Sequence, residues 1–188
     1  MKVALTGGIG AGKSYVCRLL EQRGIHVYDC DAAAKRLMRS SVKIRQELTR
    51  LVGDELYRDG VLQKQLLARF ITADALNACA VNDIVHPAVA DDFVRSGKDW
   101  IESAIFFDSG FNKRVKVDSV VCVAAPEEIR IGRVMKRDNI TFEMAQAWIA
   151  RQLPQEVVMA QSDYVIINDG QQNLEQQIDE IIKKIRKL

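Results

Sequence analysis

The chain has 188 residues, 48% of them hydrophobic, and this length suits one α/β domain with insertions better than two independent domains. Its 27 basic and 25 acidic side chains nearly cancel, so no charge excess points to nucleic-acid or membrane binding. No apolar run approaches the length of a membrane span and no secretory signal is evident, so we expect a cytoplasmic protein, either a monomer or a small homo-oligomer. The cysteines form no CxxC pair, which predicts reduced thiols at Cys17, Cys30, Cys79 and Cys122.

The first predicted strand, residues 2–6, leads into a glycine-rich loop that is followed by an amphipathic helix. The loop, Gly7–Ser14, fits the pattern GxxxxGK followed by Ser or Thr. Glycines let backbone N–H groups close around an anion, and the N-terminus of the next helix favours negative charge. Lys13 is then expected to reach the β- and γ-phosphates of a nucleotide, and the Ser14 hydroxyl to bind Mg²⁺. The segment is therefore predicted to be a P-loop.

A dinucleotide-binding fingerprint, GxGxxG, is a rival interpretation of the same loop. It would begin at Gly8 and require a glycine at position 13, but that position holds a lysine, Lys13. A lysine there prevents the close packing of helix and strand that the fingerprint needs. Nicotinamide chemistry is therefore disfavoured.

The second predicted strand, residues 26–28, ends at two aspartates, Asp29 and Asp31, which are separated by one residue. Ligands of open parallel sheets bind beyond the carboxyl ends of the strands. A kinase needs a carboxylate there, either to accept the proton of the attacking hydroxyl or to hold that hydroxyl in line with the phosphorus. Either aspartate alone can instead cap the helix that follows.

Residues 32–96 carry apolar side chains at helical spacing, which predicts a helical insertion into the sheet. Within it, His86 precedes a proline and is expected in an extended turn at the start of a helix, where it caps or packs. The continuous apolar run of residues 100–107 predicts a buried strand in which Phe106 and Phe107 belong to the core.

Two further strands are predicted at residues 117–124 and 163–167, and Pro126 is expected to open a helix after the first of them. The polar stretch 133–155 lies between these strands. Its basic side chains either form a solvated face or meet phosphate, and Trp148 either packs there or approaches a ligand. These basic residues include Arg133, Lys136, Arg137 and Arg151.

Several motifs together resemble the dephospho-CoA kinase family, in order and over nearly the whole chain. They are VALTGGIGAGKS at the start, DxD after the second strand, His86-Pro87, Arg137-Asp138 and Asn168-Asp169-Gly170. The resemblance implies an α/β, three-layer P-loop NTPase fold with a parallel sheet, a helical substrate-binding insertion and a lid. It also implies the boundaries: a nucleotide-binding core (1–31, 97–132 and 156–188), a CoA domain (32–96) and a lid (133–155).

The implied activity is transfer of the γ-phosphate of ATP, with Mg²⁺, to the ribose 3′-hydroxyl of dephospho-CoA. By the same resemblance Asp31 is the general base, assisted by Lys13 and by Arg137 on the transferring phosphoryl group. Substrate binding falls to Asp29, Lys35 and His86, and the metal to Ser14. The implied ATP-binding residues are Gly8, Gly10, Ala11, Gly12, Lys13, Ser14, Tyr15 and Asn168. Asn168 is expected either to contact adenine or to serve as a plain turn residue.

The chain departs from the family pattern at several points. Tyr15 stands where a second Ser or Thr is common, and Lys35 stands where an arginine is usual. The segment 104–108 replaces a proline-initiated segment that carries a glutamate and ends in the shorter acid Asp108. Glu102 is the acid inside the predicted strand, and it is interpreted either as an indirect Mg²⁺ ligand or as a paired charge.

Two other functions stay open on the residues alone. One is a kinase for a different small hydroxyl substrate, chosen by the helical insertion. The other is a nucleotide-dependent switch without metabolic turnover. GTPase switches normally carry DxxG and NKxD elements, whereas here Asn112-Lys113 is followed by Arg114 and Val115, which argues against the switch.

Overall fold

The computed structural model describes residues 1–187, and the chain divides into two compact units. The sheet unit comprises residues 1–28 and the chain from Lys98 onward; the helical unit comprises Asp29–Gly97. Within the described residues the strands are β1 Val3–Thr6, β2 Val27–Asp29, β3 Tyr57–Arg58, β4 Val61–Leu62, β5 Trp100–Glu102, β6 Ser119–Ala124 and β7 Tyr164–Ile167. The helices are α1 Lys13–Glu21, α2 Cys30–Ser40, α3 Val42–Val52, α4 Lys64–Ala73, α5 Ala75–Arg95, α6 Glu127–Asp138, α7 Phe142–Ala150, α8 Gln155–Ala160 and α9 Leu174–Ile185.

Five strands form one sheet in the order β2-β5-β1-β6-β7. Strand β1 pairs in parallel with β5 and β6, and β7 pairs in parallel with β6. Every residue of β1 and β6 is buried, as expected for parallel strands covered on both faces. The predicted α/β class with a mostly parallel sheet is confirmed.

One face of the sheet is covered by α1 and α9. Alternate strand residues such as Val3, Leu5 and Val121 point to this face, where they join the apolar stripes of both helices. The stripe of α1 includes Val16 and Leu20, both almost fully buried. This packing fixes the helix that begins at the end of the P-loop.

The strand predicted at residues 100–107 is wrong in length, because β5 ends at Glu102. Ser103 still donates its backbone N–H to Leu5 (3.0 Å), but the chain then turns. Phe106 is buried as predicted, yet it lies in this turn and packs edge-to-face against Phe107 and Phe111. The apolar run therefore covers the core with a folded-back loop.

The helical unit consists of α2–α5 and a small hairpin, β3–β4. Its most buried apolar side chains include Ile44 and Leu48 of α3 and Phe93 of α5. The predicted extended turn at His86 is wrong, because its neighbour Pro87 lies inside α5 and the helix continues through both residues. The proline removes one backbone hydrogen bond from this helix of 21 residues. Burial of five apolar side chains on both sides of it offsets that loss: Val81, Val85, Val89, Ala90 and Phe93.

A second cluster joins α6 and α7 in the sheet unit. Ile131 and Val134 of α6 meet Ala145 and Ile149 of α7. Trp148 packs at the edge of this cluster, which matches the packing alternative, and the side chain of Ile9 also rests against it. The polar stretch after Pro126 is therefore a packed helical hairpin.

None of the cysteines in the described chain forms a disulfide. Cys30 and Cys122 are buried, whereas Cys79 is exposed on α5. Burial raises the pKa of the Cys122 thiol to about 11, against the opposing influence of Lys13 and Arg130. Residues 1–187 contain no helix with the length and apolar character needed to cross a membrane.

Candidate active site

The loop between β1 and α1 has glycines at positions that other segments of the chain approach very closely. A methyl group on Gly7 would lie 2.2 Å from the carbonyl oxygen of Val123, and one on Gly10 would lie 2.5 Å from that of Arg130. Gly10 also has φ +80°, in the left-handed region that favours glycine. These close approaches fix the loop's path across the end of the sheet.

The loop leaves a row of backbone donors open. Its own hydrogen bonds run from the Ala11 N–H to Gly8 (3.1 Å) and from the Tyr15 N–H to Gly12 (3.0 Å). Within residues 1–187, the N–H groups of Gly10, Gly12, Lys13 and Ser14 donate to no protein acceptor. Because this row adjoins the N-terminus of α1, a helix of 9 residues, it has the donors and the dipole that bind phosphate.

Lys13 folds back over the loop. Its Nζ donates to the Gly7 carbonyl oxygen (2.8 Å) and lies 3.7 Å from Oε1 of Glu102, at the end of β5. Both side chains are largely buried, so the pair interacts in a poorly solvated environment. Glu102 is therefore a paired charge, and its second interpretation as an indirect Mg²⁺ ligand stays a prediction.

Asn168 and Arg133 hold the loop through hydrogen bonds to its backbone carbonyl oxygens. The buried Asn168 donates its Nδ2–H to the carbonyl oxygen of Ala11 (2.8 Å). Arg133 Nη2 donates to both the carbonyl oxygen (3.0 Å) and Oδ1 (3.2 Å) of Asn168. Asn168 is thus more than a turn residue, and its contact with adenine stays a prediction.

Replacing Asn168 with alanine is expected to lower the free energy of unfolding by about 1–3 kcal/mol, because the carbonyl oxygen of Ala11 loses its amide donor and Arg133 keeps only the backbone acceptor at this position. Urea unfolding followed by circular dichroism measures the loss. The matched control is Asn173→Ala, which removes an exposed helix cap on α9 and is expected to cost about 1 kcal/mol. A loss at Asn168 of less than about 1 kcal/mol would contradict its role in holding the loop.

Arg137 lies one helical turn beyond Arg133 on α6 and is exposed. It bonds Asp138 through Nε (3.0 Å to Oδ1) and Nη2 (2.7 Å to Oδ2). These hydrogen bonds lower the pKa of the Asp138 carboxyl from its ordinary value. They also raise the pKa of the Arg137 guanidinium above its own ordinary value. Arg133 already engages the loop, whereas the exposed Arg137 and Arg151 engage no P-loop residue in the described structure.

The helical unit begins with the two predicted aspartates. Asp29 caps α2, because its Oδ1 accepts the N–H of Ala32 (2.8 Å). Asp31 is exposed in the first turn of the same helix and does not cap it. Lys35, one turn later, is also exposed, and His86 is half-buried in α5. The cap therefore belongs to Asp29, which leaves the Asp31 carboxylate open to solvent.

Two residues at the loop were missed by the sequence analysis. Arg130 is 4% exposed and its Nε donates to the carbonyl oxygen of Ile9 (3.0 Å). Burial lowers its pKa, partly offset by Glu127 and Glu156. Gln152 accepts the N–H of Ile9 on Oε1 (2.7 Å). No motif marks either position, since Arg130 is a polar residue within α6 and Gln152 lies in the short segment between α7 and α8.

Comparison with known proteins identifies the family of this chain. The sequence model of the family described as Dephospho-CoA kinase matches residues 1–173. A dephospho-CoA kinase of Bacteroides fragilis is 41% identical, with 97% of this chain and 91% of that protein covered. Among solved structures, TT1252 from Thermus thermophilus has a TM-score of 0.79 at 30% identity, over 99% of this chain and 96% of that one. The structure of a dephospho-CoA kinase from Campylobacter jejuni has a TM-score of 0.66 at 20% identity, over 100% and 98% of the two chains. This chain therefore belongs to the dephospho-CoA kinase family.

Proposed function

We propose that this chain transfers the γ-phosphoryl group of ATP to the ribose 3′-hydroxyl of dephospho-CoA, giving coenzyme A and ADP. The observation that carries the phosphoryl chemistry is the set of open N–H groups of Gly10, Gly12, Lys13 and Ser14, with the cation of Lys13 beside it. Such an arrangement binds the phosphates of a nucleotide. The acceptor follows from membership of the family and from the name of the relative that is 41% identical.

Lys13 has a direct part in this proposal. In the described structure its Nζ rests on a loop carbonyl, and a polyphosphate in the loop offers stronger, charged acceptors at the same place. Lys13 would then bind the β- and γ-phosphates while Glu102, 3.7 Å from its Nζ, helps to hold the ammonium group in position. As negative charge shifts between the phosphate oxygens during transfer, a fixed cation lowers the barrier.

Asp31 is the proposed general base. Its exposed carboxylate is not engaged as the cap of α2, because Asp29 has that role. It would accept the proton of the 3′-hydroxyl as the oxygen attacks the γ-phosphorus. Asp29 shapes the field beside it, and Lys35 and His86 are proposed to bind dephospho-CoA within the helical domain 32–96.

The lid is proposed to comprise residues 133–155. Arg137 would leave Asp138 and bind the transferring phosphoryl group, because a phosphate with two or more charges competes well against one solvated carboxylate. The exposed pair costs little to break. Closure of this segment would keep water from taking the phosphoryl group.

Mg²⁺ is proposed as the co-reactant of ATP. Within residues 1–187 no group of three or more His, Cys, Asp or Glu side chains is arranged to hold a metal. Mg²⁺ binds nucleotides through phosphates and water with few protein ligands, so the single hydroxyl of Ser14, exposed at the start of α1, fits that mode. When bound, the ion neutralises charge on the β- and γ-phosphates. We further propose that the protein is a monomer or a small homo-oligomer and that it acts in the cytoplasm.

Acceptor-dependent release of ADP tests the function. Purified protein with MgATP is expected to release ADP many times faster when dephospho-CoA is added, and mass spectrometry should find the acceptor heavier by one phosphoryl group. Adenosine and pantetheine serve as control acceptors that each lack part of the substrate. Equal ADP release with all acceptors, or none with any, would contradict the proposed reaction.

A further inference from the structure

The P-loop residue Ile9 is held entirely by side chains and helices from later in the chain. Its N–H donates to Gln152 Oε1 (2.7 Å), and its carbonyl oxygen accepts from Arg130 Nε (3.0 Å). Its side chain packs against the α6–α7 cluster. All three attachments lead to the segment that begins at α6 and ends before α8.

The residue next to Gln152 is itself anchored, because the N–H of Leu153 donates to Oδ2 of Asp108 (2.8 Å). This bond lies between Gln152 and Gln155, whose Oε1 accepts the N–H of Ala125 (3.0 Å). The Leu153 bond therefore gives the amide of Gln152 a defined direction toward Ile9 without the help of Gln155.

The space beside Ile9 is matched to these two side chains. A methyl group on Gly8 would lie 2.2 Å from Nη2 of Arg130 and 3.2 Å from Oε1 of Gln152. The backbone of Arg130 also lies close to Gly10, because a methyl group on Gly10 would be 2.5 Å from the carbonyl oxygen of Arg130. Glycine at both positions thus lets the arginine and the glutamine reach the peptide groups on either side of Ile9.

We propose that Gln152 and Arg130 are positioning residues, which hold the Ile9 peptide groups and thereby aim the following row of N–H groups at the phosphates of ATP. Neither side chain needs to touch the reacting atoms. Their effect reaches the nucleotide through the backbone of residues 9–12, because rotation of one peptide group turns the next donors away from a common centre. This inference deepens the proposed function and rests on its ATP site.

Gln152 and Gln155 offer a matched pair for the test. Each uses a side-chain amide oxygen to accept one backbone N–H, but the acceptor of Gln155 serves Ala125 at the end of β6 and does not serve the loop. In isothermal titration calorimetry, Gln152→Ala is expected to weaken ATP binding by about three- to tenfold, the effect of one net hydrogen bond. Gln155→Ala should stay within about twofold of the parent protein. The KM for dephospho-CoA should be the same in both variants.

Hydrogen exchange provides a second measurement that needs no nucleotide. Gln152→Ala should speed exchange in the peptide that contains Ile9 and not in the one that contains Ala125, and Gln155→Ala should do the reverse. Equal ATP affinity in the two variants, or unchanged exchange at Ile9, would overturn the inference. Failure of the parent protein to bind ATP would instead contradict the proposed function. If Gln152→Ala does not fold, Gln152→Asn replaces it, since the amide is then one methylene too short.

Discussion

Asp31→Asn is expected to lower kcat by about 10²–10⁴-fold, the range typical of a lost general base. The ATP affinity should stay within about twofold, because the change lies outside the P-loop and keeps the size of the side chain. An amide cannot accept the proton of the 3′-hydroxyl at neutral pH, whereas the carboxylate can. Steady-state kinetics with saturating dephospho-CoA, together with calorimetry for ATP, separates the two quantities.

Two companion variants sharpen the result for Asp31. Asp91→Asn makes the same chemical change at an exposed position of α5 in the same unit, and its kcat is expected to match that of the parent protein. Asp29→Asn keeps the helix cap, since asparagine caps as well as aspartate, so it tests the neighbouring charge without loss of the fold. A kcat for Asp31→Asn that is close to the value for Asp91→Asn would remove the base assignment.

Lys13→Ala should lower kcat/KM for ATP by about 10²–10³-fold, the loss typical when one fixed donor to the developing charge is removed. The variant also removes the ammonium group beside the largely buried Glu102, so a less compensated carboxylate remains near the proposed phosphate site and opposes binding. Kinetics at varied ATP, with dephospho-CoA held at saturation, measures the effect.

Lys98→Ala is the matched control for Lys13. Lys98 also donates its Nζ to a backbone carbonyl, that of Val27 at 2.9 Å, but outside the P-loop and next to the start of β5. Its replacement removes one lysine and one similar hydrogen bond without a change at the phosphates. Equal losses of kcat/KM in the two variants would show that the effect of Lys13 is structural, which would contradict its role in catalysis.

The parts of the site that the sequence predicted are those specified by local chemistry. The P-loop from Gly7 to Ser14 has the glycines that its backbone requires, and β1 and α1 lie on either side as the apolar pattern indicated. The helix opened by Pro126 and the strand before Asn168 were likewise found close to their predicted places. In each case a few neighbouring residues determine the structure.

The predictions that failed concern segments whose structure depends on packing against residues distant in the sequence. The run 100–107 is apolar throughout, and periodicity cannot tell a strand from a loop that folds onto the core. Pro87 usually marks a helix boundary, yet α5 continues through it because its buried face packs along the whole helical unit. The contacts of Arg130 and Gln152 with Ile9 span more than 120 residues of chain, so no local pattern encodes them.

One feature was readable in the sequence and was overlooked. Asp59-Gly60 connects β3 and β4, and both residues have positive φ, 49° and 79°. An Asp-Gly pair between two short strands is a strong hairpin signal, because both residues of such a turn require the left-handed region. The surrounding helical periodicity of residues 32–96 concealed it. Short hairpins within helical insertions are therefore best sought from turn residues and not from strand patterns.

The positions of the cysteines allow the two units to be followed separately. Each unit buries one thiol: Cys30 is 8% exposed in the helical unit, and Cys122 is fully buried in the sheet unit. Because alkylation requires an accessible thiolate, each thiol reacts only when its own unit opens. A pulse of iodoacetamide during a denaturant titration, read by peptide mass spectrometry, would thus report two opening free energies from the unmodified chain. Their agreement or difference would tell whether the two units unfold together in one cooperative transition.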